Sequence, residues 1–475
     1  MGTLIASTVN GGGNGRYGSG YPNSGLMQYA PNSGLWFCFY MANATTGFAA
    51  KYASTPTGTW TVPSGSPITL SSNCTLGNYL ACCLANISST DILHVARYDP
   101  NLNSSNGGVW HSRYTLGTIW TTTNSEAVDN TNAGGYPVTS NNAVSCLDSS
   151  NYPVDAICYY VDIASNPDSG TWTAGWGSVK TITSVTVVQL IPLSGRNLLA
   201  IGQYSSNWYS SLWNGSTWST PAALTGMSGD TIEDISTVVV GNTVHAVYLP
   251  NSGTTSYHAI YNITSGTWAA GNTIPAISTG AAGNPFLATD GTNVYMAVLQ
   301  GSTQNIEVIE WTASSTSWST EWYITDVGNS SHTRYALSGY SQVVDGIVGL
   351  TYTQANGSNF DLYASSFNVS AITYAGTVIS SVGTDNPATG FPTSTQMIDD
   401  GTNSWAFYPH STQSGKLCYR STTNLASWGS EQTVTVSNFP GNGISFSIIY
   451  NQITKTILVV YGDVDASYPY NAYLR

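Results

Sequence analysis

The feature that most constrains this chain is a unit of about fifty residues that recurs from one end to the other. Seven tryptophans mark it: Trp60, Trp120, Trp172, Trp218, Trp268, Trp318 and Trp428. The last follows a gap of two periods, with Tyr374 near its middle. Several marks share wording, as in Gly58-Thr59-Trp60, Gly170-Thr171-Trp172 and Gly266-Thr267-Trp268. Self-similarity at this period specifies a repeat architecture, in which each unit buries its apolar faces against its neighbours.

Each period carries a second landmark, a polar turn followed by an apolar run. The clearest turns are Asp290-Gly291-Thr292-Asn293 and Asp400-Gly401-Thr402-Asn403. Shorter or looser forms occur at 32–34, 86–90, 148–153, 195–197, 241–242, 345–346 and 451–455. Gly, Asn and Asp tolerate positive φ, which marks these as hairpin turns. The runs that follow, such as Leu35-Trp36-Phe37-Cys38-Phe39-Tyr40-Met41 and Val294-Tyr295-Met296-Ala297-Val298-Leu299, are apolar on both faces. Strands of that kind are covered on both sides. A sandwiched second strand in a four-stranded unit is the pattern of a propeller blade.

The expected fold is therefore all-β. It is a single closed β-propeller over residues 1–475, with units of about 52 residues from about residue 22. The turns count nine blades, or eight if the irregular stretch between Ser66 and Ser184 is over-divided. The last unit stops one strand short. Residues 1–10 hold a strand without a unit, and this strand is expected to complete the last blade and close the ring.

Charged residues make up only 7% of the chain, 11 Lys and Arg against 24 Asp and Glu, where about a quarter is usual. A fold built without ion pairs keeps its stability in acid, because no pair is lost when carboxylates protonate. Adaptation to low pH is one reading, and drift in a Ser/Thr-rich secreted protein is the other. The acidic balance and scattered cations exclude a nucleic-acid stripe. No apolar run reaches the eighteen or so residues of a membrane span. The start Met-Gly-Thr-Leu-Ile-Ala has no basic n-region and no apolar h-region, so no secretory signal is read there.

The seven cysteines show no CxxC pair, and the six histidines show no HExxH spacing, so no metal or other cofactor is expected. Cys146 and Cys158 flank the turn around Tyr152 symmetrically, which suggests a cross-strand disulfide; the alternative is that each is a buried small hydrophobe. His245 and His258 flank a hairpin and are read as space-filling. Candidate catalytic acids are Glu233, Asp234 and Asp463, since glycosidases need paired carboxylates. Glu307 and Glu310 have opposite parity on one strand and face different ways. Loops between second and third strands combine Tyr, Trp, Ser and Asn, a composition suited to recognition. They supply the candidate ligand contacts Trp208, Tyr209, Tyr257, His410, Asp465 and Tyr468. The seven marker tryptophans are read as packing between units, with ligand contact as the alternative.

The segment Asn166-Pro167-Asp168-Ser169-Gly170-Thr171-Trp172 resembles the Asp-box of sialidase-like propellers, Ser-x-Asp-x-Gly-x-x-Trp, with one residue fewer between Asp and Trp. The other units lack the Asp. In that family the box is a structural turn, so the resemblance implies the fold and not catalysis. Enzymatic members hold a substrate carboxylate with three arginines. Here Arg16 stands in Gly-Arg-Tyr-Gly, and no Phe-Arg-Ile-Pro-like segment opens the first unit. In composition the chain resembles surface and virion proteins of thermoacidophilic archaea and their viruses.

The expected function is non-enzymatic recognition or attachment, outside the cell or on a virion surface. The expected partners are cell-surface glycans or glycoproteins, or other virion or surface proteins. The alternatives are a glycoside hydrolase, sialidase-like or other, and a purely structural subunit.

Overall fold

The computed structural model describes residues 2–9, 26–41, 47–69, 80–87, 89–99, 108–117, 121–127, 143–157, 160–169, 176, 180–182, 185–204, 207–224, 227, 235–248, 256–276, 285–301, 303–319, 322–326, 333–356, 359–372, 397–399, 403–409, 417–422, 430, 432–434, 446–451, 456–462 and 472–474. Among them the fold is all-β: nine small antiparallel sheets and almost no helix. The chain divides into two compact units, Met1–Ile372 and Thr373–Arg475.

The first unit contains seven sheets. Sheet 1 joins Met27–Ala30, Leu35–Met41, Gly47–Ala53 and Ile68–Thr69; sheet 2 joins Leu80–Ile87, Thr90–Asp99, Gly108–Thr115 and Thr121–Ala127. Sheet 3 joins Ala143–Leu147, Pro153–Ile157, Tyr160–Ile163 and Lys180–Thr181; sheet 4 joins Thr186–Pro192, Leu198–Tyr204, Asn207–Trp213 and Ala222–Ala223. Sheet 5 joins Ile235–Val240, Thr243–Tyr248, Tyr257–Asn262 and Thr267–Ala270. Sheet 6 joins Phe286–Thr289, Val294–Leu299, Ile306–Thr312 and Ser317–Trp318, with Tyr323–Asp326 also paired to Ile306–Thr312. Sheet 7 joins Arg334–Gly339, Ile347–Asn356, Asn359–Asn368 and the N-terminal strand Thr3–Val9.

The second unit holds two sheets. Sheet 8 joins Met397–Asp399, Ser404–Pro409, Leu417–Thr422 and Gln432–Val434. Sheet 9 joins Phe446–Asn451, Thr456–Gly462 and Ala472–Leu474.

The first hairpin of each sheet falls on one of the nine turn signals read from the sequence. Two separate sheets occupy the irregular stretch between Ser66 and Ser184. Gly241 (φ 54°) and Gly291 (φ 88°) show why the turns need such residues, since an L side chain is strained there. The second strands are sandwiched as expected: every residue of Val294–Leu299 is buried.

Apolar seams join successive sheets of the first unit. Phe37, Phe39 and Phe48 pack on Leu93, Val95 and Tyr114; Val154 and Val161 pack on Val187 and Leu198. Ile201 and Trp208 meet Val244 and Tyr248, Val247 meets Leu287 and Met296, and Tyr295 and Leu299 meet Leu337 and Tyr352. The seam between sheets 2 and 3 is different: among the described residues its apolar cluster is small, Ala85, Ile87 and Ile92 with Leu147. Sheet 7 then packs on sheet 1, through Ile5, Leu362 and Ala364 against Met27, Trp36 and Cys38.

The N-terminal strand corrects one expectation. It does not complete the last sheet; it pairs antiparallel with Asn359–Asn368, with Thr3 opposite Ala364. The reason is an open edge. After Asn368 the chain turns into the short helix Val369–Ile372, so sheet 7 receives no outer strand from its own repeat. An unpaired edge of ten residues accepts another strand readily. Ile5 and Ala6 then bury between sheets 7 and 1, and Lys51 Nζ donates to the Ile5 carbonyl.

The register places Cys146 opposite Val154, because the turn centres two residues earlier than the symmetric reading assumed. Cys146 is a buried free thiol, and Cys158 lies outside the described residues. Cys38, Cys82 and Cys83 are free thiols as well.

Candidate functional site

The first strands of sheets 1, 2, 4, 5 and 7 all face one cavity of about 400 Å³. Its wall includes Gln28 from sheet 1, Cys82 and Cys83 from sheet 2, Gln189 from sheet 4 and Thr237 from sheet 5. Tyr340, Ser341 and Gln342, which follow the first strand of sheet 7, complete it. Backbone bonds hold that segment against sheet 6: Thr289 N donates to Ser341 O at 3.0 Å, and Val343 N to Thr289 O at 2.9 Å. Among the described residues, no charged side chain lines the cavity.

A buried polar chain runs from this wall into the seam between sheets 2 and 3. Strand register explains the gathering: Cys83, His94 and Arg113 lie opposite one another across three strands of sheet 2. Ser145 and Asp155 lie opposite one another in sheet 3. Ser145 Oγ donates to Asp155 Oδ1 at 2.7 Å, so at 3.5 Å it accepts the Cys83 thiol proton. Asp155 Oδ2 contacts His111 Nδ1 at 2.7 Å, and His111 Nε2 meets His94 Nδ1 at 2.9 Å. His94 Nε2 stands 3.0 Å from Asp168 Oδ2, and Arg113 grips the same carboxylate from two nitrogens, at 2.5 and 3.1 Å. Burial pushes His94 down to about 4, against the pull of Asp168. Burial also pushes the Cys83 thiol up to about 12. A thiol held protonated is a poor nucleophile.

Asp168 belongs to the Asp-box-like segment. It is buried and reaches back to Arg113 of sheet 2, whereas Trp172 lies outside the described residues.

A second polar chain lies between sheets 5 and 6. Trp318 Nε1 donates to His258 Nδ1 at 3.2 Å, and His258 Nε2 meets His245 Nδ1 at 3.1 Å. An indole only donates, so neutral His258 carries its proton on Nε2 and passes it to His245 Nδ1. His245 Nε2 then donates to Thr243 Oγ1 at 3.3 Å, which donates to Val240 O at 2.8 Å. Burial depresses both imidazoles, His245 to about 4 and His258 to about 3. The pair fills space between sheets, as the sequence suggested.

A third feature is an aromatic cleft of about 490 Å³ beside the outer strands of sheets 3 and 4. Tyr204, Tyr209 and Trp218 line it with Thr181, Ser219 and Thr220. Tyr204 is 51% exposed and meets Tyr209 edge-on, with ring centres 6.2 Å apart. Among the described residues, no charged side chain lines this cleft either.

The structure sorts the candidate ligand contacts. Tyr209 lines the cleft, but Trp208 does not: alternation along the strand turns it inward, where it is buried against Tyr248. Tyr257 is half-buried and stacked on Tyr248. Glu233, Asp234, His410, Asp463, Asp465 and Tyr468 lie outside the described residues. Glu307 and Glu310 are both buried, and burial pushes both carboxyls up.

Among the marker tryptophans, Trp60 and Trp318 are buried. Trp268 Nε1 donates back to Ser210 of sheet 4 at 2.7 Å, as Trp318 does to sheet 5. These are packing roles between sheets, and Trp218 alone of the described marks opens onto a cleft. Trp120 and Trp428 lie outside the described residues. The buried chain between sheets 2 and 3 was missed from sequence. Its members come from five strands and the segment holding Asp168, and the available signal was isolated polar residues such as Ser145 and Asp155 in apolar strands.

No protein-family model matches this chain, and no curated protein matches it. Solved structures do. AofleA from Arthrobotrys oligospora matches 65% of this chain and 89% of its own at 12% identity, with a TM-score of 0.41. The NanB sialidase from Streptococcus pneumoniae matches 78% and 71% at 12% identity, with a TM-score of 0.40. The polysaccharide lyase Uly1 matches 77% and 98% at 10% identity, with a TM-score of 0.42. None of them carries a functional argument for this chain.

Proposed function

We propose that the chain is a non-enzymatic recognition protein that binds neutral cell-surface glycans through the Tyr204, Tyr209 and Trp218 cleft. We further propose that its first unit is a closed seven-bladed β-propeller. The composition of the cleft carries the reading. Three aromatic faces with three hydroxyls and no charge match the apolar C–H faces and hydroxyl edges of an uncharged sugar. Five sheets facing one cavity, the seam from sheet 7 to sheet 1 and the N-terminal strand on sheet 7 support the ring. The Cys83 thiol, held protonated by burial, supports binding over catalysis by that thiol.

The test is titration calorimetry at pH 7.5 with neutral and sialylated oligosaccharides. Tyr204 is exposed enough that Tyr204→Ala leaves the fold intact. A neutral oligosaccharide is expected to bind wild type and to bind this variant at least about tenfold more weakly, the loss typical of an aromatic anchor. Absence of binding by every neutral oligosaccharide, or equal binding by the variant, overturns the proposal.

A further inference from the structure

The cavity faced by five sheets has features that packing alone does not explain. Three glutamines from three different sheet regions, Gln28, Gln189 and Gln342, lie on its wall with Thr237 and Ser341. A cavity of about 400 Å³ is the size of a small-ligand pocket, which commonly spans about 300–1,000 Å³. Its described wall residues offer amides and hydroxyls but no charge.

Gln189 supplies the decisive observation. It is only 6% exposed, and its Oε1 is buried without a hydrogen-bond partner. A buried carbonyl oxygen without a donor is costly, and native proteins rarely leave one so. The strand is also irregular here. The register slips between Val187 and Gln189, placing an extra residue, Val188, opposite sheet 4's second strand. Such a bulge re-aims a side chain and is common beside functional sites.

We infer that this cavity is a second binding site, for a neutral, hydroxyl-rich small molecule of monosaccharide size, with Gln189 Oε1 accepting a ligand hydroxyl. Neutrality follows from the described wall residues, which include no ion to offset a charge taken out of water. The hydroxyl follows from the orphaned acceptor, which requires a donor. Size follows from the volume. The site is separate from the aromatic cleft: no residue lines both.

The experiment is saturation-transfer NMR and calorimetry at pH 7.5 with glucose, galactose, mannose, N-acetylglucosamine, myo-inositol and glucuronate. It is run on wild type, Gln189→Leu, Thr237→Val and Tyr204→Ala, each first checked for its melting temperature. At least one neutral probe is expected to bind wild type and Tyr204→Ala alike. Gln189→Leu is expected to weaken it about tenfold or more, the loss of one buried hydrogen bond. If Gln189→Leu does not fold, Thr237→Val on the same wall takes its place with the same expectation. The inference is overturned if no neutral probe binds, if glucuronate binds as well as the best neutral probe, or if folded wall variants bind like wild type. Loss of binding in Tyr204→Ala alone also overturns it, by moving the site to the cleft.

Discussion

Acid is expected to unfold the first unit, and the buried histidines set the size of the effect. His94, His245 and His258 are held neutral by burial, at about 4, about 4 and about 3, against 6.5 in a free chain. As pH falls below 6.5 the unfolded chain takes up protons that the folded chain refuses. Stability is therefore full above 6.5 and is lost as pH falls from there towards 4. At pH 5 each histidine has cost about 2 kcal/mol, since one pH unit is worth about 1.4 kcal/mol per proton. The three together cost about 6 kcal/mol, comparable with the whole stability of a typical domain at about 5–15 kcal/mol. The assay is urea unfolding at constant ionic strength at pH 7.5, 6.5, 5.5 and 5.0, followed by tryptophan fluorescence. His258→Asn keeps an acceptor for Trp318 but removes one titration, so its loss between pH 7.5 and 5.0 should be about 2 kcal/mol smaller than wild type. A stability flat to within about 1 kcal/mol over that range would refute the reasoning. So would an unchanged pH slope in His258→Asn.

Three further outcomes follow from the packing. Ile5→Ala should cost about 2–5 kcal/mol by urea unfolding, because Ile5 is buried in the seam between sheets 7 and 1; a change below 1 kcal/mol would show that the N-terminal strand adds nothing there. Asp168→Asn should cost about 3–5 kcal/mol at pH 7.5, since it leaves buried Arg113 without its counter-charge; full stability would remove the ion-pair reading of that seam. Gly271→Ala should cost about 1–3 kcal/mol in the melting transition, because a Cβ there would stand 2.3 Å from His258 Nδ1. An unaltered melt would mean that the imidazole can move aside freely.

These expectations bear on the scarcity of charge. Low charge suggested a fold without ion pairs, suited to acid. The structure instead concentrates its few charges where they matter to packing. Arg113 with Asp168 and Arg334 with Asp326 are buried pairs, and Arg196 clamps Asp148 of the neighbouring hairpin while lying over Tyr152 at 3.5 Å. The buried neutral histidines lead to the expectation that the first unit loses stability in acid.

Much of the architecture was legible in the chain because its causes are local. A turn residue that tolerates positive φ and a strand apolar on both faces each act over a few neighbours, so nine turns and nine hairpins coincide. The marker tryptophans read as packing for the same reason, since Trp268 and Trp318 repeat one contact with the preceding sheet. The sites were less legible. Tyr209 and Trp208 are adjacent and chemically alike, and only the strand's orientation sends one to the cleft and the other to the core.

The repeat by itself determined the sheet, its strand order and its sandwiched second strand. Which edge the N-terminal strand would take was decided only by tertiary structure, because a period says nothing about where one repeat lacks an outer strand. The same holds for the cavity and the buried chain behind it. Gln28, Gln189 and Gln342 are more than a hundred residues apart in sequence, and Cys83 meets Ser145 across a seam. Contacts of that kind depend on how sheets stack, and stacking is a property of the assembled fold rather than of any one repeat.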